Sequence, residues 1–310
     1  MSNSDATLDV GRLRLLREVG LRGTIAAAAR SLGLTSSAVS QQLAVLEREA
    51  GTALIDRSPR GVALTGAGHA LVGRTDELIE VLAAARADLD RITGSVAGPI
   101  AIASVASAAA TFVSDAVCAL RESDPGISVR VVAAEPAHAL ELLVAGDVDV
   151  AIVDEYDYVP LALPEFAVAH QLCAEQLVVV APAGTFGRRR PSLSDLADAS
   201  WVMPPEYAAC GQAVRFACRA AGFEPRVRWE TDDMLLLVRA VAAGHGVAVL
   251  PRMSLAVEAT SGPGAAVQVK ALREPPLSRR LMAVARASSL TRPVVGALMR
   301  ALESAATSGP

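Results

Sequence analysis

Lysine is almost absent from this chain, in which Lys270 is the only one. A phosphate-binding loop needs a Gly-Lys-Ser/Thr sequence, and a hydrolase of the Ser-x-x-Lys type needs its lysine. Neither motif occurs, and the Gly-x-Ser-x-Gly nucleophile elbow is missing as well. These absences exclude particular enzyme classes, and the pattern of residues 1–65 described below leads us to predict that the protein is not an enzyme.

Cysteine and histidine are also scarce, with four residues of each. The cysteines lack the repeated short spacing of a disulfide framework, which indicates reduced thiols: Cys118, Cys173, Cys210 and Cys218. The histidines form no pair at metal-ligand spacing on one helix: His69, His138, His170 and His245. We expect no metal site and no cofactor.

Long apolar runs are limited to one stretch. The residues between Arg91 and Asp115 are uncharged over about the length of a membrane span. Alanine and serine dominate this stretch, and Gly98-Pro99 interrupts it, which favours a buried strand leading into a helix. The first twelve residues contain two aspartates and no apolar core, unlike a secretion signal. We expect no membrane partner and a cytoplasmic location.

The charge is unevenly distributed along the chain. The 310 residues suggest roughly two domains, and their net charge is -4. Residues 1–65 nevertheless hold eight arginines and six acidic residues, so this segment carries +2 and the remainder -6. This asymmetry permits a basic face at the amino-terminal end of an acidic protein.

Turn and capping residues divide the amino-terminal segment into three helices. The pattern predicts helices from Leu8 to Val19, from Ile25 to Leu32, and from Thr35-Ser36 to about Ala50, with turns at Gly23-Thr24 and Gly33-Leu34. This spacing is typical of a helix-turn-helix. The last helix presents polar residues suited to base edges in a major groove, although a solvated face is the alternative reading: Ser36, Ser37, Ser40 and Gln41.

Residues 54–65 predict a strand, a turn and a second strand, which together form a wing. Arg57 and Arg60 lie at this turn, where they could contact phosphates. With Thr35 at the helix start, these arginines and the four polar residues are our candidates for contact with double-stranded DNA.

The segment resembles the LysR-type transcriptional regulators. The residues that carry the resemblance are Gly23-Thr24, Ala28-Ala29, Leu32, Ser40, Gln42, Leu46-Glu47, Glu49, Gly51, Leu54, Asp56-Arg57, Val62, Leu64-Thr65 and Gly68. The resemblance implies that the family's base-reading positions fall on the four polar residues, and its backbone-contacting wing on the two arginines. Ser37, Gln41 and Ile55 depart from the proline, arginine and phenylalanine that are common in the family, so the preferred base sequence is not predictable.

A long helix is predicted from Thr65 to about Gly94. Its apolar seam alternates spacings of four and three residues, as in a coiled coil: Leu71, Thr75, Leu78, Leu82, Ala85, Leu89 and Ile92. We predict that Leu71, Leu78, Leu82 and Leu89 pair two copies into a homodimer, and the resemblance suggests a homotetramer. The alternative is a helix that packs on its own domain.

Alternating strands and helices follow Gly98 and predict two α/β lobes, whose elements include a helix from Ser107 to Arg121 and strands over Val148–Val153 and Leu177–Val180. Gly244-His245-Gly246 is one of the strongest markers of this domain. The predicted fold is thus an N-terminal all-α winged helix-turn-helix and an α/β two-lobed, periplasmic-binding-protein-like effector domain, joined by a long coiled-coil linker helix. The predicted boundaries are 1–65 for the DNA-binding domain, 66–94 for the linker helix and 95–310 for the effector domain, with lobe I at 95–169 and 271–310 and lobe II at 170–270.

Ligands of open α/β sheets bind beyond the carboxyl ends of strands. This rule and the resemblance select five candidate residues for a small-molecule effector: Ser104, Ser107, Thr231, Gly246 and Val247. The acidic cluster after a predicted strand adds Asp154 as a sixth candidate. Capping is the alternative role for Ser107 and Thr231. Asp154, followed by Glu155 and Asp157, suits a ligand with an amino group, but an exposed acidic loop is the favoured interpretation. We expect the effector, whose identity the sequence does not give, to be a metabolite with a carboxylate or an amino group.

Two other functions remain open. The protein could repress without an effector, or it could sense oxidants through Cys210 and Cys218, because peroxide-sensing members of the family use a cysteine pair in this region. On one helix these cysteines would lie about 12 Å apart, too far for a disulfide without local unfolding.

Overall fold

The computed structural model of the chain describes residues 8–58, 61–93, 96–255, 267–273 and 276–308. It divides into two compact units, Met1–Leu89 and Asp90–Pro310. The candidate residue Arg60 lies outside the described residues. In the described part of the chain, no helix combines the length and the apolar character that crossing a membrane requires.

The first unit is a winged helix-turn-helix, as predicted. Its elements are α1 (Val10–Arg22), α2 (Ile25–Ser31), α3 (Ser36–Ala50), β1 (Ile55–Ser58), β2 (Gly61–Leu64) and α4 (Gly66–Thr93). The strands form an antiparallel hairpin. Fully buried side chains hold the first three helices together: Leu16, Val19, Ala28, Val39, Leu43 and Leu46.

Threonine side chains begin three of these helices, as their sequence positions predict. The Oγ1 atoms of Thr24, Thr35 and Thr65 accept hydrogen bonds from backbone N–H groups three residues further on, at 3.0–3.2 Å. The helix predicted from Leu8 begins at Val10 instead, because the side chain of Asp9 caps it by accepting from the Arg12 N–H.

The second unit contains the α/β lobes. Its strands are β3 (Gly98–Ser104), β4 (Ile127–Ala133), β5 (Val150–Tyr156), β6 (Ala167–Pro182), β7 (Ser200–Met203), β8 (Arg226–Glu230), β9 (Ala248–Pro251), β10 (Val267–Ala271) and β11 (Ser278–Arg286). Its α-helices are α5 (Ala106–Ala108), α6 (Ser114–Ser123), α7 (Pro136–Ala145), α8 (Ala209–Ala220), α9 (Met234–Ala242) and α10 (Pro293–Ser308).

Strand β6 connects the two lobes. Its first part, residues 167–176, pairs with β11, which also pairs with β5 next to the parallel strands β3 and β4. Its second part, residues 177–182, pairs with β9 and β10. Each lobe therefore builds its sheet on a different half of one long strand.

Sequence patterning missed two pieces of this arrangement. It predicted a strand only over Leu177–Val180, because residues 168–171 of β6 are exposed and Val168 is the one large apolar residue among them, too little to give an apolar pattern. It also missed β10, in which every residue is half-buried, so that inward and outward positions do not alternate.

The helix predicted from Ser107 to Arg121 is interrupted. A π-helical segment, Ala109–Val113, separates α5 from α6, and Thr111 within it leaves helical geometry at φ -119 and ψ -115. The Thr111 hydroxyl donates to the carbonyl of Ser107 at 2.7 Å, which offers the backbone a competing partner at this point.

Candidate DNA-reading surface and effector cavity

Helix α3 has one buried and one exposed face. Val39, Leu43 and Leu46 pack into the core of the first unit. The candidate DNA-contacting residue Ser40 is half-buried. Four other candidates on or beside this helix are exposed: Thr35, Ser36, Ser37 and Gln41. The predicted base-reading residues therefore form a continuous polar face at the start of α3.

The wing is anchored to the helices through its backbone. Arg57 lies in β1 opposite Val62 of β2. The Val62 N–H donates to the carbonyl of Gly23, in the turn before α2, at 3.0 Å. The same turn thus positions both the helix-turn-helix and the wing.

Several arginines of the first unit are engaged in ion pairs. Arg12 pairs with Glu49 at 2.7 Å, Arg22 with Glu18 at 2.7 Å, and the buried Arg17 with Asp76 of α4. Arg14, Arg30 and Arg48 are exposed. The positive charge available to a nucleic acid is thus smaller than the count of eight arginines suggests.

The apolar seam of α4 changes its environment along the helix. Leu71 and Leu78 pack against the core of the first unit, and Thr75 is buried between them. Leu82 is 40% exposed and Leu89 is 57% exposed. The alternative reading, a helix packed on its own domain, therefore describes the first half of the seam, whereas the second half has exposed leucines.

A cavity of about 310 Å³ lies among the strand ends and helix starts of the second unit. Apolar side chains from several elements form part of its wall: Val105, Ala106, Ala110, Pro204, Met234, Leu235 and Val238. The ionisable residues in the wall are Glu135, Asp154, Tyr156, Cys210, Asp232, Asp233 and Arg279. This volume is near the lower end of the range for small-molecule sites.

Arg279 is at the centre of a buried polar network beside the cavity. Its side chain is 2% exposed. It donates to Asp154 at 2.7 Å, to Glu175 at 2.5 and 2.8 Å, to the Ser107 hydroxyl at 2.9 Å and to the Tyr156 hydroxyl at 3.4 Å. Burial alone would lower the pKa of Arg279, but the surrounding Tyr156, Asp154 and Glu175 raise it, so the guanidinium stays charged.

Asp154 is consequently not in an exposed acidic loop. Strand β5 extends three residues beyond the predicted end at Val153, so Asp154 is a buried strand residue paired with Arg279. Asp157 follows the strand, and its carboxylate accepts from the Ser278 N–H at 2.7 Å. The favoured sequence interpretation was wrong because a charged residue on a buried strand position has no apolar signature.

Of the six candidate effector-binding residues, Ser107 and Asp154 line the cavity and the other four do not belong to its wall. The hydroxyl of Ser104 donates to the carbonyl of Val105, and that of Thr231 accepts from the Asp233 N–H. The buried Val247 forms an isolated parallel β-bridge with Trp201. A Cβ atom on Gly246 would lie 2.3 Å from the Ser200 carbonyl oxygen, so this glycine permits close backbone packing.

Sequence reasoning missed Arg279, Glu135, Asp232 and Ser254. A signal for Arg279 existed, since it shares the buried face of β11 with Leu281 and Ala283 at a spacing of two residues. A charge on such a face indicates a buried partner. Ser254 follows the Gly-His-Gly marker segment in a short 3₁₀ turn and carries no comparable pattern.

The two cysteines of the redox hypothesis lie on α8 and are buried. Burial raises the pKa of Cys210 and that of Cys218 to about 12 in each case, with smaller contributions from neighbouring charges. Reactive cysteines instead have lowered pKa values and partial exposure. Neither thiol has the environment of a peroxide-reactive group.

Two family models match the chain. The LysR substrate binding domain matches residues 93–307, and the bacterial regulatory helix-turn-helix protein, lysR family, matches residues 10–69. The probable HTH-type transcriptional regulator LrrA of Synechococcus elongatus is 27% identical over 248 residues, which cover 80% of this chain and 82% of the relative. The HTH-type transcriptional regulator CbbR of Rhodospirillum rubrum is 26% identical over 279 residues, 90% of each protein.

Solved structures share the fold. Full-length OxyR from Pseudomonas aeruginosa has a TM-score of 0.74 at 20% identity, covering 98% of both chains. CbnR in complex with its target DNA has a TM-score of 0.54 at 20% identity, covering 96% of this chain and 99% of that chain. With its winged helix-turn-helix, its two-lobed α/β domain and both family matches, the chain belongs to the LysR family of DNA-binding transcriptional regulators with an effector-binding domain.

Proposed function

We propose that the protein reads double-stranded DNA with the start of α3 and responds to a small metabolite bound in the cavity between its α/β lobes. The observation that carries the DNA half is the polar face formed by Thr35, Ser36, Ser37, Ser40 and Gln41 above a fully buried apolar face. Such a face enters a major groove, where glutamine and serine can pair with base edges.

Arg57 and Arg60 of the wing contact the phosphate backbone in this proposal. Phosphate contacts fix orientation and add salt-dependent affinity without reading sequence. Loss of a base-reading residue should therefore weaken specific DNA binding, whereas loss of a wing arginine should weaken specific and non-specific binding alike. This difference gives the proposal a direct test.

The test compares Gln41→Ala and Arg57→Ala with Gln212→Ala, an exposed glutamine on α8 that removes the same side chain elsewhere. Genomic fragments bound by the full-length protein are selected first, and affinity is then measured over a range of salt concentrations. Gln41→Ala should weaken specific binding by about 1–3 kcal/mol and spare non-specific binding. Arg57→Ala should weaken both and reduce the salt slope by about one. Equal affinity of all three variants and the parent would contradict the proposal.

Dimerisation belongs to the same proposal. The exposed leucines of α4, Leu82 and Leu89, pair with those of a second copy, so that two helix-turn-helix units bind two half-sites. Pairing of effector domains in addition would give a homotetramer. A regulator of this kind acts on chromosomal DNA, and we therefore assign it to the cytoplasm.

An effector-independent repressor is the alternative within the family. The cavity favours a sensor, because it combines an apolar wall with a few convergent polar groups. The selected DNA fragments provide the assay: a metabolite that raises the melting temperature should also change the affinity for DNA. A metabolite-binding protein whose DNA affinity never changes would support the effector-free alternative.

A further inference from the structure

The wall of the cavity has an unbalanced charge. Four carboxylates contribute to it, those of Glu135, Asp154, Asp232 and Asp233, against the single guanidinium of Arg279. The cavity therefore presents a negative potential to whatever enters it.

The N–H donors of the Arg279 guanidinium are all engaged, so none is available to an incoming anion. An arginine side chain has five N–H donors. At Arg279 the Nε–H is directed to Glu175, the Nη1 group to Asp154 and Tyr156, and the Nη2 group to Glu175 and Ser107. A carboxylate ligand would have to displace one of these buried partners before it could bind.

Glu135 and Asp232 remain for a ligand. Asp154 is paired with Arg279, and Asp233 caps α9 by accepting from the N–H groups of Leu235 and Leu236. Among the described residues, Asp232 accepts a hydrogen bond from the neutral Tyr207 hydroxyl at 3.0 Å and forms no ion pair. Desolvation raises the pKa of Glu135, and repulsion from Asp154 and Asp232 raises it further. A positive charge placed between these carboxylates would relieve their repulsion.

Ser254 supplies an independent observation that points to a polar ligand group. The residue belongs to the cavity wall and is 7% exposed, and its buried hydroxyl has no hydrogen-bond partner among the residues that the structure describes. A buried hydroxyl without a partner is costly, so a ligand atom that bonds to it would be favoured.

We propose that the effector cavity selects a small cation, an amine or guanidine with an apolar body, whose charge lies at Glu135 and Asp232 and which also forms a hydrogen bond with Ser254. This inference rests on the proposed function, since it names the chemical class of the effector. Of the two classes compatible with the sequence, it selects the amino compounds over the carboxylates.

The test uses matched probes that differ in one group. Hexylamine, hexan-1-ol and hexanoate form one set, and tyramine, tyrosol and 4-hydroxyphenylacetate form a second. Each is titrated into the full-length protein at neutral pH up to about 10 mM, a range that detects millimolar affinity. The amine of each set should bind at least about tenfold more tightly than its carboxylate, with the alcohol between them. Carboxylates that bind as well as the amines, or amines that do not bind in either set, would overturn the proposal.

Substitutions in the cavity wall test whether the probes bind in this cavity. Glu135→Gln and Asp232→Asn should each weaken amine binding about tenfold and leave the alcohols unaffected. Glu122→Gln, which removes an exposed carboxylate from α6 outside the wall, is the matched control and should change nothing. Ala110→Trp should block all probes by filling the cavity. Amine affinity that survives both acidic substitutions would contradict the assignment.

Ser254→Ala tests the remaining contact. It should weaken tyramine binding severalfold without lowering the melting temperature of the ligand-free protein, because it removes a hydroxyl that has no partner there. Unchanged tyramine binding would remove Ser254 from the proposal.

Measuring DNA affinity in the presence of each probe separates the proposed effector role of the cavity from the proposed cationic class of its ligand. Amines that bind in the cavity but never alter DNA affinity would support the cation site and reject its role as the effector site. A carboxylate that alters DNA affinity and is blocked by Ala110→Trp would support the effector site and reject the cationic class.

Discussion

Cys210 is a cavity residue whose environment opposes its reactivity. It lies in the first turn of α8, a position that often lowers the pKa of a thiol. Here desolvation dominates, and the pKa rises to about 12. At the scale of single residues, burial thus outweighs the helix dipole, and the thiol behaves as a small apolar group.

Alkylation rates test whether the buried thiols are less reactive than an exposed one. At pH 8 a thiol with a pKa of about 12 is ionised in roughly one molecule in ten thousand, so Cys210 and Cys218 should react with iodoacetamide far more slowly than the exposed Cys118. The measurement is mass spectrometry of each peptide over time in the native protein, with unfolded protein as the control. Native Cys210 reacting as fast as Cys118 would restore the redox hypothesis.

Gly68 is required by the packing of helix α4 onto the wing. A Cβ atom at this position would lie 2.1 Å from the carbonyl oxygen of Leu54. Gly73, on the same helix, has open space around it. These two glycines therefore have opposite expected responses to the same substitution.

Gly68→Ala should destabilise the first unit by about 1–3 kcal/mol, since the backbone would have to move. Gly73→Ala should stabilise the helix by up to about 1 kcal/mol, because alanine is the better helix former. Denaturant unfolding followed by circular dichroism measures both. A Gly68→Ala protein as stable as Gly73→Ala would show that the close approach is not retained in solution.

At the scale of elements, α4 has two roles along one seam. Its first half stabilises its own unit through Leu71 and Leu78, while its second half has exposed leucines. A charge at Leu78 would therefore disturb folding as well as any dimer. Leu82 is the position at which association can be tested separately from folding.

Leu82→Asp should dissociate the proposed dimer and weaken DNA binding, because a charge would enter the proposed apolar interface between the two α4 helices. Ala70→Asp adds the same charge at an exposed position of α4 away from the seam and is the control. Analytical ultracentrifugation measures the mass of each variant. A Leu82→Asp protein with the parent's mass and DNA affinity would rule out this seam.

The whole molecule consists of two units with separate cores. Such a chain is expected to unfold in more than one step. A ligand that binds only the native effector domain stabilises that domain by mass action.

Scanning calorimetry should accordingly resolve two transitions. A cavity ligand should raise only the transition temperature of the second unit, and Gly68→Ala should lower only that of the first unit. A single cooperative transition that both changes shift equally would contradict independent folding of the units.

The sequence by itself determined the features that depend on neighbours within a few residues. Capping threonines and turn glycines fixed the helix-turn-helix, and the spacing of leucines indicated the long helix, because these signals act over one or two turns. Tertiary structure decided the cavity, which joins side chains from Val105 to Arg279. The partners of Arg279 lie 104 to 172 residues away along the chain. Only the folded sheet shows that Asp154 is paired with Arg279 and that the Ser254 hydroxyl has no partner among the described residues, because charge compensation depends on distance in space.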